Sequence, residues 1–346
     1  MVVKSSGSPN PPLSFGEIET EFGQNPGRSL GRYRSTHPDF ENEDLTLFGG
    51  ELNNLPLDDG IPTSGEIKFS DFYGKRLNIV VDCHSGGRED RKSAKGDKWN
   101  NNAVTVIGGF RTKKEDGSKI IINVNKKFCS DKSSINNVAL KTGAWDSTAT
   151  VQVDVGSSGE ILGAGGDGGK GADGINNNGE NGGDGTSALG IDHNGVTVNI
   201  ASGGILRAGF GGGGGGGGGR QTDKRRDRRA GGGGGGGGAG CPAGNGGPGG
   251  STGGGFGGGS GQPGGSGSET SGGGGGNGGN NENEAVGGVG GPGGQPGSNA
   301  GGGQNRATSG GPAGGNGAAI RRISGYAVTI NNSGTIQGGT TDTGVN

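Results

Sequence analysis

The sequence predicts a mainly β protein: short N-terminal helical or hook-like modules, a small antiparallel β-sandwich, and a glycine-rich bundle of polyglycine II helices capped by β-hairpins. Three observations predict this class. Most of the 95 glycines lie between residues 163 and 317. Runs of β-branched residues separated by polar turns lie between residues 77 and 155. A strand–turn–strand unit occurs on both sides of the glycine tracts. We expect three domains, at residues 1–76, 77–162 and 163–346.

The glycines recur with a period of three. Triplets that begin with glycine, most of them Gly-Gly-x, keep one frame over residues 165–176, 246–251 and 287–295. A flexible linker needs no frame, whereas a polyproline-type helix has three residues per turn and leaves its backbone groups for neighbouring helices. Collagen is excluded because 13 prolines are too few and the repeat is broken. We therefore predict a helix bundle, with a disordered segment as the alternative because only 25% of the residues are hydrophobic.

One strongly basic segment separates the two longest glycine runs, Gly211–Gly219 and Gly231–Gly238. If these runs are neighbouring antiparallel helices, the segment is the loop at their shared end. It can be a solvated loop, or it can bind an anionic surface ligand or an acidic protein patch. RNA binding is disfavoured because the arginines are not interspersed with glycine and aromatic residues. The candidate binding residues are Arg220, Lys224, Arg225, Arg226, Arg228 and Arg229.

The N-terminal part contains short elements with apolar residues on one side. Ser14 and Glu17 have the spacing of a capping box, which predicts a helix from Ser14 to Phe22 that ends at Gly23. A turn at residues 29–33 and a hook at residues 64–74 follow. Elements this short are not stable alone. We interpret them as docking pieces or as a clasp on the next domain, through Phe15, Ile18, Phe22, Ile67, Phe69, Phe72 and Tyr73.

Strands are predicted at residues 77–81, 104–107, 120–124 and 150–155, with Trp99 and Trp145 as large core or edge residues. The strand–turn–strand unit reads as a β-hairpin. We expect its copies to form one sheet that caps an end of the glycine bundle. The copies lie at residues 151–155 with 159–163, 196–200 with 204–206, and 328–330 with 334–336.

The remaining chemistry argues against an enzyme. The three cysteines are too few for a disulfide framework, and we expect Cys83 and Cys129 to be buried thiols, with a mutual disulfide as the alternative. Neighbouring Asp82, Cys83 and His84 point to opposite faces of a strand, so they form no catalytic group. The sequence predicts no cofactor and no metal, although residues 168–176 fit a calcium-binding nonapeptide that normally occurs in stacked copies.

The net charge of −2 indicates no particular partner. The sequence contains no apolar run long enough to cross a membrane, and residues 1–10 lack the apolar stretch of a signal peptide. We expect no membrane insertion and no nucleic-acid partner.

The framed triplets, the polar loops between them and the closing segment 328–336 resemble the distal adhesins and related glycine-rich fibre proteins of tailed bacteriophages. Residues 13–18 and 67–74 resemble N-terminal modules of phage virion proteins. This resemblance implies a rigid polyglycine II scaffold whose end loops bind a host receptor, and an N-terminal part that attaches to the fibre. The chain departs from the family in having fewer aromatic residues in its loops.

The sequence and the resemblance together predict a non-enzymatic virion protein, a tail-fibre or tail-tip adhesin made in the host cytoplasm. The expected partners are other tail or fibre proteins and a host cell-surface glycan or outer-membrane protein, with a homo-oligomer, preferably a trimer, as a further option. The alternatives are a purely structural collar or fibre protein and an ice-binding polyglycine II protein. Charged loops count against ice binding.

Overall fold

The computed structural model describes residues 11–22, 29–33, 61–62, 64–75, 79–83, 92–93, 104–107, 119–130, 137–223, 226–254, 258–280 and 285–345. It contains one α-helix, α1 (Phe15–Phe22), and two 3-10 helices (Leu30–Tyr33 and Phe69–Phe72) in the described part. In chain order the strands are β1 Ile79–Cys83, β2 Lys92–Ser93, β3 Val104–Ile107, β4 Lys119–Val124, β5 Lys127–Cys129, β6 Val138–Lys141, β7 Thr150–Val155, β8 Glu160–Leu162, β9 Ser187–Ile191, β10 Val196–Ile200, β11 Ile205–Arg207, β12 Gly219–Asp223, β13 Arg226–Ala230, β14 Ile320–Arg322, β15 Val328–Asn332, β16 Thr335–Gln337 and β17 Thr340–Thr341.

The N-terminal elements form a small apolar cluster of their own. The predicted capping box of α1 is present: the Ser14 amide donates to Glu17 Oε2 at 2.8 Å, and the Glu17 amide donates to Ser14 Oγ at 3.3 Å. Gly23, the predicted end, lies outside the described residues. The helix packs with the turn at residues 29–33 and with the hook at residues 64–74, because Ile18, Tyr33 and Phe72 are buried together, along with Ile61. The segments predicted as docking pieces or as a clasp therefore pack against one another.

Three sheets make up most of the β structure. Their strand orders are β15-β10-β7-β4-β1-β3, β16-β11-β8-β5 and β17-β14-β9-β6-β2. Among the described residues every neighbouring pair in these sheets is parallel except β1 and β3. The predicted antiparallel sandwich is therefore wrong, although its four strands exist close to their predicted positions. Strand propensity locates a strand, but its direction depends on a partner distant in sequence.

The strand–turn–strand units are corners between sheets, not hairpins. β7, β10 and β15 pair with each other in the first sheet, and the strands that follow them, β8, β11 and β16, pair in the second. In the described part of the chain, four successive coils each give one strand to each of the three sheets, as in a parallel β-solenoid: β4-β5-β6, β7-β8-β9, β10-β11-β14 and β15-β16-β17. The prediction that units distant in sequence share a sheet is confirmed, but they share two sheets and not one. Both sheets contain strands from before and after residue 162.

The glycine tracts are inserted at one corner of this solenoid. Residues 163–186 lie between β8 and β9 of one coil, and residues 208–319 lie between β11 and β14 of the next coil. Both insertions leave the second sheet and return to the third. We call residues 163–186 and 208–317 the glycine region. Because the two insertions start and end side by side, their first and last segments are already neighbours.

The solenoid core is formed by stacked aliphatic side chains. Ile122, Val153 and Val198 occupy paired positions of three parallel strands and are fully buried. Trp145 is also in this core, and its Nε1 donates to the carbonyl of Thr142 at 2.7 Å. Trp99 lies outside the described residues.

Backbone hydrogen bonds join the segments of the glycine region with a period of three. The amides of Gly166, Gly169 and Ala172 donate to the carbonyls of residues 210, 213 and 216, at 2.9 Å in each case. The amides of residues 210, 213 and 216 donate in turn to the carbonyls of residues 239, 236 and 233. The first of these two pairs of segments is parallel, and the second is antiparallel. Segments that follow each other along the chain are antiparallel, as residues 163–172 and 179–186 are, so successive loops alternate between two ends.

Two segments are interior: residues 209–218 and residues 231–239. Every residue in both is buried. The first exchanges backbone hydrogen bonds with segments 163–172, 179–186, 231–239, 287–294, 301–304 and 309–317. The second exchanges them with segments 163–172, 209–218, 244–251, 258–268, 271–280 and 287–294. These interior segments coincide with the two longest glycine runs.

This position explains why the runs contain only glycine. A Cβ built on Gly213, Gly214 or Gly215 would lie about 2.0 Å, 1.9 Å or 1.9 Å from a carbonyl oxygen of a different neighbour. An outer segment has one free direction per triplet, and there a side chain is tolerated: a Cβ on Gly274 meets nothing within 4 Å, while Gly273 and Gly275 meet carbonyls at 2.0 and 1.9 Å. Gly-Gly-x therefore marks an outer segment, and uninterrupted glycine marks an interior one.

The end of the glycine region near the solenoid is fixed covalently. Cys129 on β5 forms a disulfide with Cys241, whereas Cys83 is a buried thiol. The expectation for Cys83 is met. The expectation that Cys129 is a thiol or pairs with Cys83 is wrong, because the antiparallel return of the chain after residue 239 carries Cys241 to β5.

An ionic cluster supports the disulfide. Lys127 Nζ lies 2.7 Å from Glu269 Oε2 and 3.1 Å from Glu160 Oε2, and Arg207 Nη1 lies 3.6 Å from Glu269 Oε1. Burial alone would lower the pKa of Lys127, but its hydrogen bonds to Glu269 and Glu160 outweigh that effect and raise it. The loop that carries Glu269 is thereby held on the second sheet of the solenoid.

Candidate functional site

The end of the glycine region away from the solenoid collects most of its polar loops. Because consecutive segments are antiparallel, the loops that follow outgoing segments all lie there. We define the distal face as loops 173–178, 251–254 and 305–308 together with the β12–β13 hairpin. Hydrogen bonds join these pieces: the Thr308 amide donates to Gly218 O at 3.2 Å, and the Ser251 amide donates to Asp173 Oδ1 at 2.7 Å.

The basic segment lies at the shared end of the two long glycine runs, as predicted. It forms an antiparallel hairpin in which Gly219 pairs with Ala230 and Asp223 pairs with Arg226. Because the hairpin continues the two interior segments, it rises from the middle of the distal face, with the other loops around it. Lys224 and Arg225 lie outside the described residues.

The arginines of the hairpin differ in their surroundings. Asp227 Oδ1 lies 2.9 Å from Arg220 Nε, and Asp227 Oδ2 lies 2.9 Å from Arg229 Nη2. The hydrogen bond from Arg229, then that from Arg220, lowers the pKa of Asp227. Arg226 is exposed and Arg228 is half-buried. Two guanidinium groups of the segment share the carboxylate of Asp227. The positive charge is therefore spread unevenly over the arginines.

Arg229 has a positioning role. Its Nη1 donates to the carbonyl of Gly253 at 3.0 Å and to Asn176 Oδ1 at 3.3 Å, and its side chain is only 23% exposed. These contacts connect the hairpin to two other loops of the distal face. Arg229 therefore holds the hairpin in place, while the side chain of Arg226 is exposed.

Asp173 organises a second part of the face. Its Oδ2 accepts a hydrogen bond from Lys170 Nζ at 2.6 Å, and its Oδ1 accepts from the Ser251 amide. The bond from Lys170, followed by that from Ser251, lowers the pKa of Asp173 to about 2. This residue stands at the aspartate position of the nonapeptide that fits a calcium motif, and both of its oxygens are used by these protein groups.

The N-terminal candidates differ in their burial and contacts. Ile18 and Phe72 are buried inside the N-terminal cluster, and Phe15 and Ile67 pack against it. The hydroxyl of Tyr73 donates to the carbonyl of Pro11. Phe69 packs edge-on against Phe15, with ring centroids 5.8 Å apart, and is the most exposed of the candidates whose side chains are described, at 38%. Phe22 ends α1, and its side chain lies outside the described residues.

Sequence reasoning missed the contribution of Asn176 and of the loop around Gly253. A signal was present: antiparallel order requires alternate loops to meet at one end, so loops 173–178 and 251–254 belong beside the hairpin.

Among the described residues no group of three or more His, Cys, Asp or Glu side chains could hold a metal ion. No described helix is long and apolar enough to cross a membrane.

Comparisons with known proteins identify the family. The model of the family described as "Phage tail fibre adhesin Gp38" matches residues 93–341, well over half of the chain. The chain is also similar to the crystal structure of the gp37-gp38 adhesin tip complex of the bacteriophage S16 long tail fiber, at 19% identity, over 95% of this chain and 98% of that chain, with a TM-score of 0.38. No curated protein gives a significant match. The chain belongs to the phage tail fibre adhesin Gp38 family.

Proposed function

We propose that this tail fibre adhesin binds the host cell surface through its distal face. The observation that carries the proposal is the antiparallel order of the glycine segments, which gathers three loops and the hairpin at the end remote from the solenoid. Glycine segments present almost no side chains, so recognition has to come from the connections. The family assignment supplies the adhesin role.

We propose further that the glycine segments are polyglycine II helices. Hydrogen bonds between segments that repeat every third residue support this conformation, since it has three residues per turn and no bonds within a helix. A scaffold of this kind is stiff because each interior amide is held by a neighbour. Stiffness matters for an adhesin, because loops that are already ordered lose less entropy on binding.

The proposed ligand is a phosphate- or carboxylate-bearing glycan of the host surface. Arg226 and Arg228 of the hairpin supply positive charge, and guanidinium groups bind such anions in a bidentate manner. Asp227 pairs with Arg220 and Arg229 and offsets part of their charge. Asn176 and Ser251 add neutral hydrogen-bonding groups beside the hairpin.

At the other end of the chain we propose attachment to the tail fibre through the N-terminal cluster. The cluster is separate from the solenoid core, since its buried residues pack only with each other in the described part of the chain. Phe69 gives it an exposed aromatic ring, which is typical of a protein–protein contact. The proposed partner is another fibre protein. In this proposal the protein is a structural, non-enzymatic component of the virion.

Binding of the purified protein to host cells tests the proposal. The variant R226S/R228S removes two cations from the distal face, and K126S removes one exposed cation from a turn of the solenoid. We expect R226S/R228S to bind about tenfold more weakly at low salt, a loss of about 1.4 kcal/mol, and K126S to bind like the wild type. The difference should shrink at about 1 M salt, where the screening length is about 3 Å.

Equal binding of R226S/R228S and wild type at low salt would remove the arginines as the binding groups. If deletion of the hairpin also left binding unchanged, the distal face would not be the receptor site. The purely structural fibre protein would then be the better account.

A further inference from the structure

A cleft of about 590 Å³ lies at the opposite end of the glycine region from the distal face. Its walls come from the loop 295–299, from Asn316 on the last outer segment, and from residues 336–338 at a corner of the last solenoid coil. Phe210, only 5% exposed, also lines it. The cleft therefore forms where the glycine region meets the solenoid, and its size is in the usual range for a small-molecule site.

Two glycines shape this cleft. Gly297 has a φ of +81° in the tight turn closed by the mutual backbone hydrogen bonds of Gln295 and Ser298. Gly338 has a φ of +112°, and a Cβ there would lie 2.6 Å from Ala208 Cβ. Side chains other than glycine are strained at such φ values. Both walls are thus held by backbone geometry and not by loose loop packing.

The lining is rich in carboxamides whose oxygen atoms are already engaged. Gln295 Oε1 accepts from the Gly272 amide at 3.2 Å, Gln337 Oε1 accepts from Arg207 Nε at 2.5 Å, and Asn299 Oδ1 accepts from Asn316 Nδ2 at 2.8 Å. A carboxamide has one acceptor and one amino group. When the oxygen is fixed in this way, the amino group remains as the donor for a ligand.

No residue of the lining carries a formal charge. In the described part of the chain, no protein group accepts a hydrogen bond from the side-chain amino groups of Gln295, Asn299 or Gln337. Beside these donors lie apolar groups, namely Phe210, Pro296 and Ile336. Several neutral donors next to apolar surface match a ligand that has many oxygen acceptors and apolar C–H faces.

We propose that this cleft binds an uncharged saccharide unit. Hydroxyl and ring oxygens would accept from the three amino groups, and the C–H face of the ring would lie on Pro296, beside the small exposed part of Phe210. An anion is less suited, because neutral amides supply no charge to offset its desolvation. This second site would lie at the opposite end from the distal face, so it does not depend on the receptor proposal.

The test observes the side-chain amide signals of the full-length protein by NMR. The probes are the methyl glycosides of glucose, galactose and N-acetylglucosamine, with sodium acetate as a charged comparison. Binding at the cleft should shift the amide signals of Gln295, Asn299 and Gln337 in a saturable way for at least one glycoside. Acetate should leave them unshifted.

Isosteric variants distinguish the cleft from other surfaces. Q295E and Q337E keep the oxygen that accepts from Gly272 or Arg207 but remove the amino donor. We expect each to weaken glycoside binding about five- to tenfold, the effect of one hydrogen bond. Q304E is the matched control, since Gln304 Oε1 also accepts a backbone amide, that of Val289, outside the cleft. Melting temperatures equal to wild type would show that the variants are folded.

A second variant does not rely on the amides. S298W places a large ring at the exposed edge of the cleft and should abolish the shifts at Gln295 and Gln337. The proposal is overturned if none of the three glycosides shifts the cleft amides. It is also overturned if glycoside binding occurs but is unaffected by Q295E, Q337E and S298W alike.

Discussion

The amide of Gly213 donates to the carbonyl of Gly236 at 2.8 Å, in the middle of the two interior segments. The contact is close because neither residue has a side chain. A Cβ on Gly235 would lie 1.9 Å from the carbonyl oxygen of Gly213. The core of this region consists of backbone, so its stability depends on hydrogen bonds and on the absence of side chains.

Single alanine substitutions in one outer segment should therefore have opposite outcomes. In Gly275→Ala the new methyl group would lie 1.9 Å from the carbonyl of Gly290, and we expect a loss of more than about 3 kcal/mol in the free energy of unfolding. In Gly274→Ala the methyl group meets nothing within 4 Å, and the effect should lie within about 1 kcal/mol of zero. Thermal unfolding of both variants measures the difference. Similar losses at residues 274 and 275 would contradict the assignment of inner and outer faces.

The disulfide between Cys129 and Cys241 should stabilise the junction of the two parts. It closes a loop with a sequence separation of 112, for which chain entropy predicts a contribution of about 2–5 kcal/mol. Cys241→Ser should lower the unfolding temperature in oxidising buffer and make it insensitive to a reducing agent. Cys83→Ala is the control, because Cys83 is a thiol: it should keep the difference between oxidised and reduced protein. A wild-type protein that melts alike in both buffers would rule out the bond.

Acid should weaken the distal face through Asp173. Its pKa is lowered from 3.8 to about 2, so the stabilisation is present above pH 4 and is lost as the pH falls toward 2. Because the Asp173 side chain is 23% exposed, we expect only about 1–2 kcal/mol. Asp173→Asn should be less stable than wild type by that amount at pH 7, and the two proteins should converge near pH 2. If the difference persists at pH 2, or is also unchanged in a Lys170→Met background, the ion pair is not its source.

The exposed ring of Phe69 should matter for assembly and not for folding. Phe69→Ser leaves the buried residues Ile18 and Phe72 in place, so the protein should fold but incorporate poorly into particles. The control is Lys68→Ser, an adjacent change at an exposed side chain paired with Glu66. A truncation that begins near Lys75 should also fold and fail to incorporate. Quantification of the protein in purified particles tests both, and normal incorporation of the truncation would exclude the N-terminal cluster as the attachment site.

The glycine region shows how far local pattern can predict structure. The period of three predicted the period of the hydrogen bonds, and the position of residues 220–229 between two long runs predicted a loop at their shared end. Both inferences depend only on the positions of the glycines along the chain, which can be read directly from the sequence. The conformation of the segments as polyglycine II helices stays a prediction.

The solenoid shows where the same reasoning fails. The turn from Val155 to Glu160 has the composition of a hairpin turn, yet β7 and β8 belong to different sheets. The sheet to which β7 belongs is decided by its neighbours, which are β10 on one side and β4 on the other. Those partners lie far along the chain, and the first glycine insertion, residues 163–186, lies between β7 and its partner β10. The pairing of Cys129 with Cys241 was unpredictable for the same reason, because it follows from the path of the inserted segments.

Amide hydrogen exchange of the isolated protein tests the central claim, that two runs of glycine form the hydrogen-bonded interior of an ordered scaffold. Amides of residues 209–218 and 231–239 should exchange most slowly in the glycine region, since their bonding partners surround them. In the outer segments protection should follow the triplet: Gly273 and Gly276 donate to interior carbonyls and should be slow, and Gly274 should be fast. Uniform, unprotected exchange from residue 211 to residue 317 would contradict the account and restore a disordered linker.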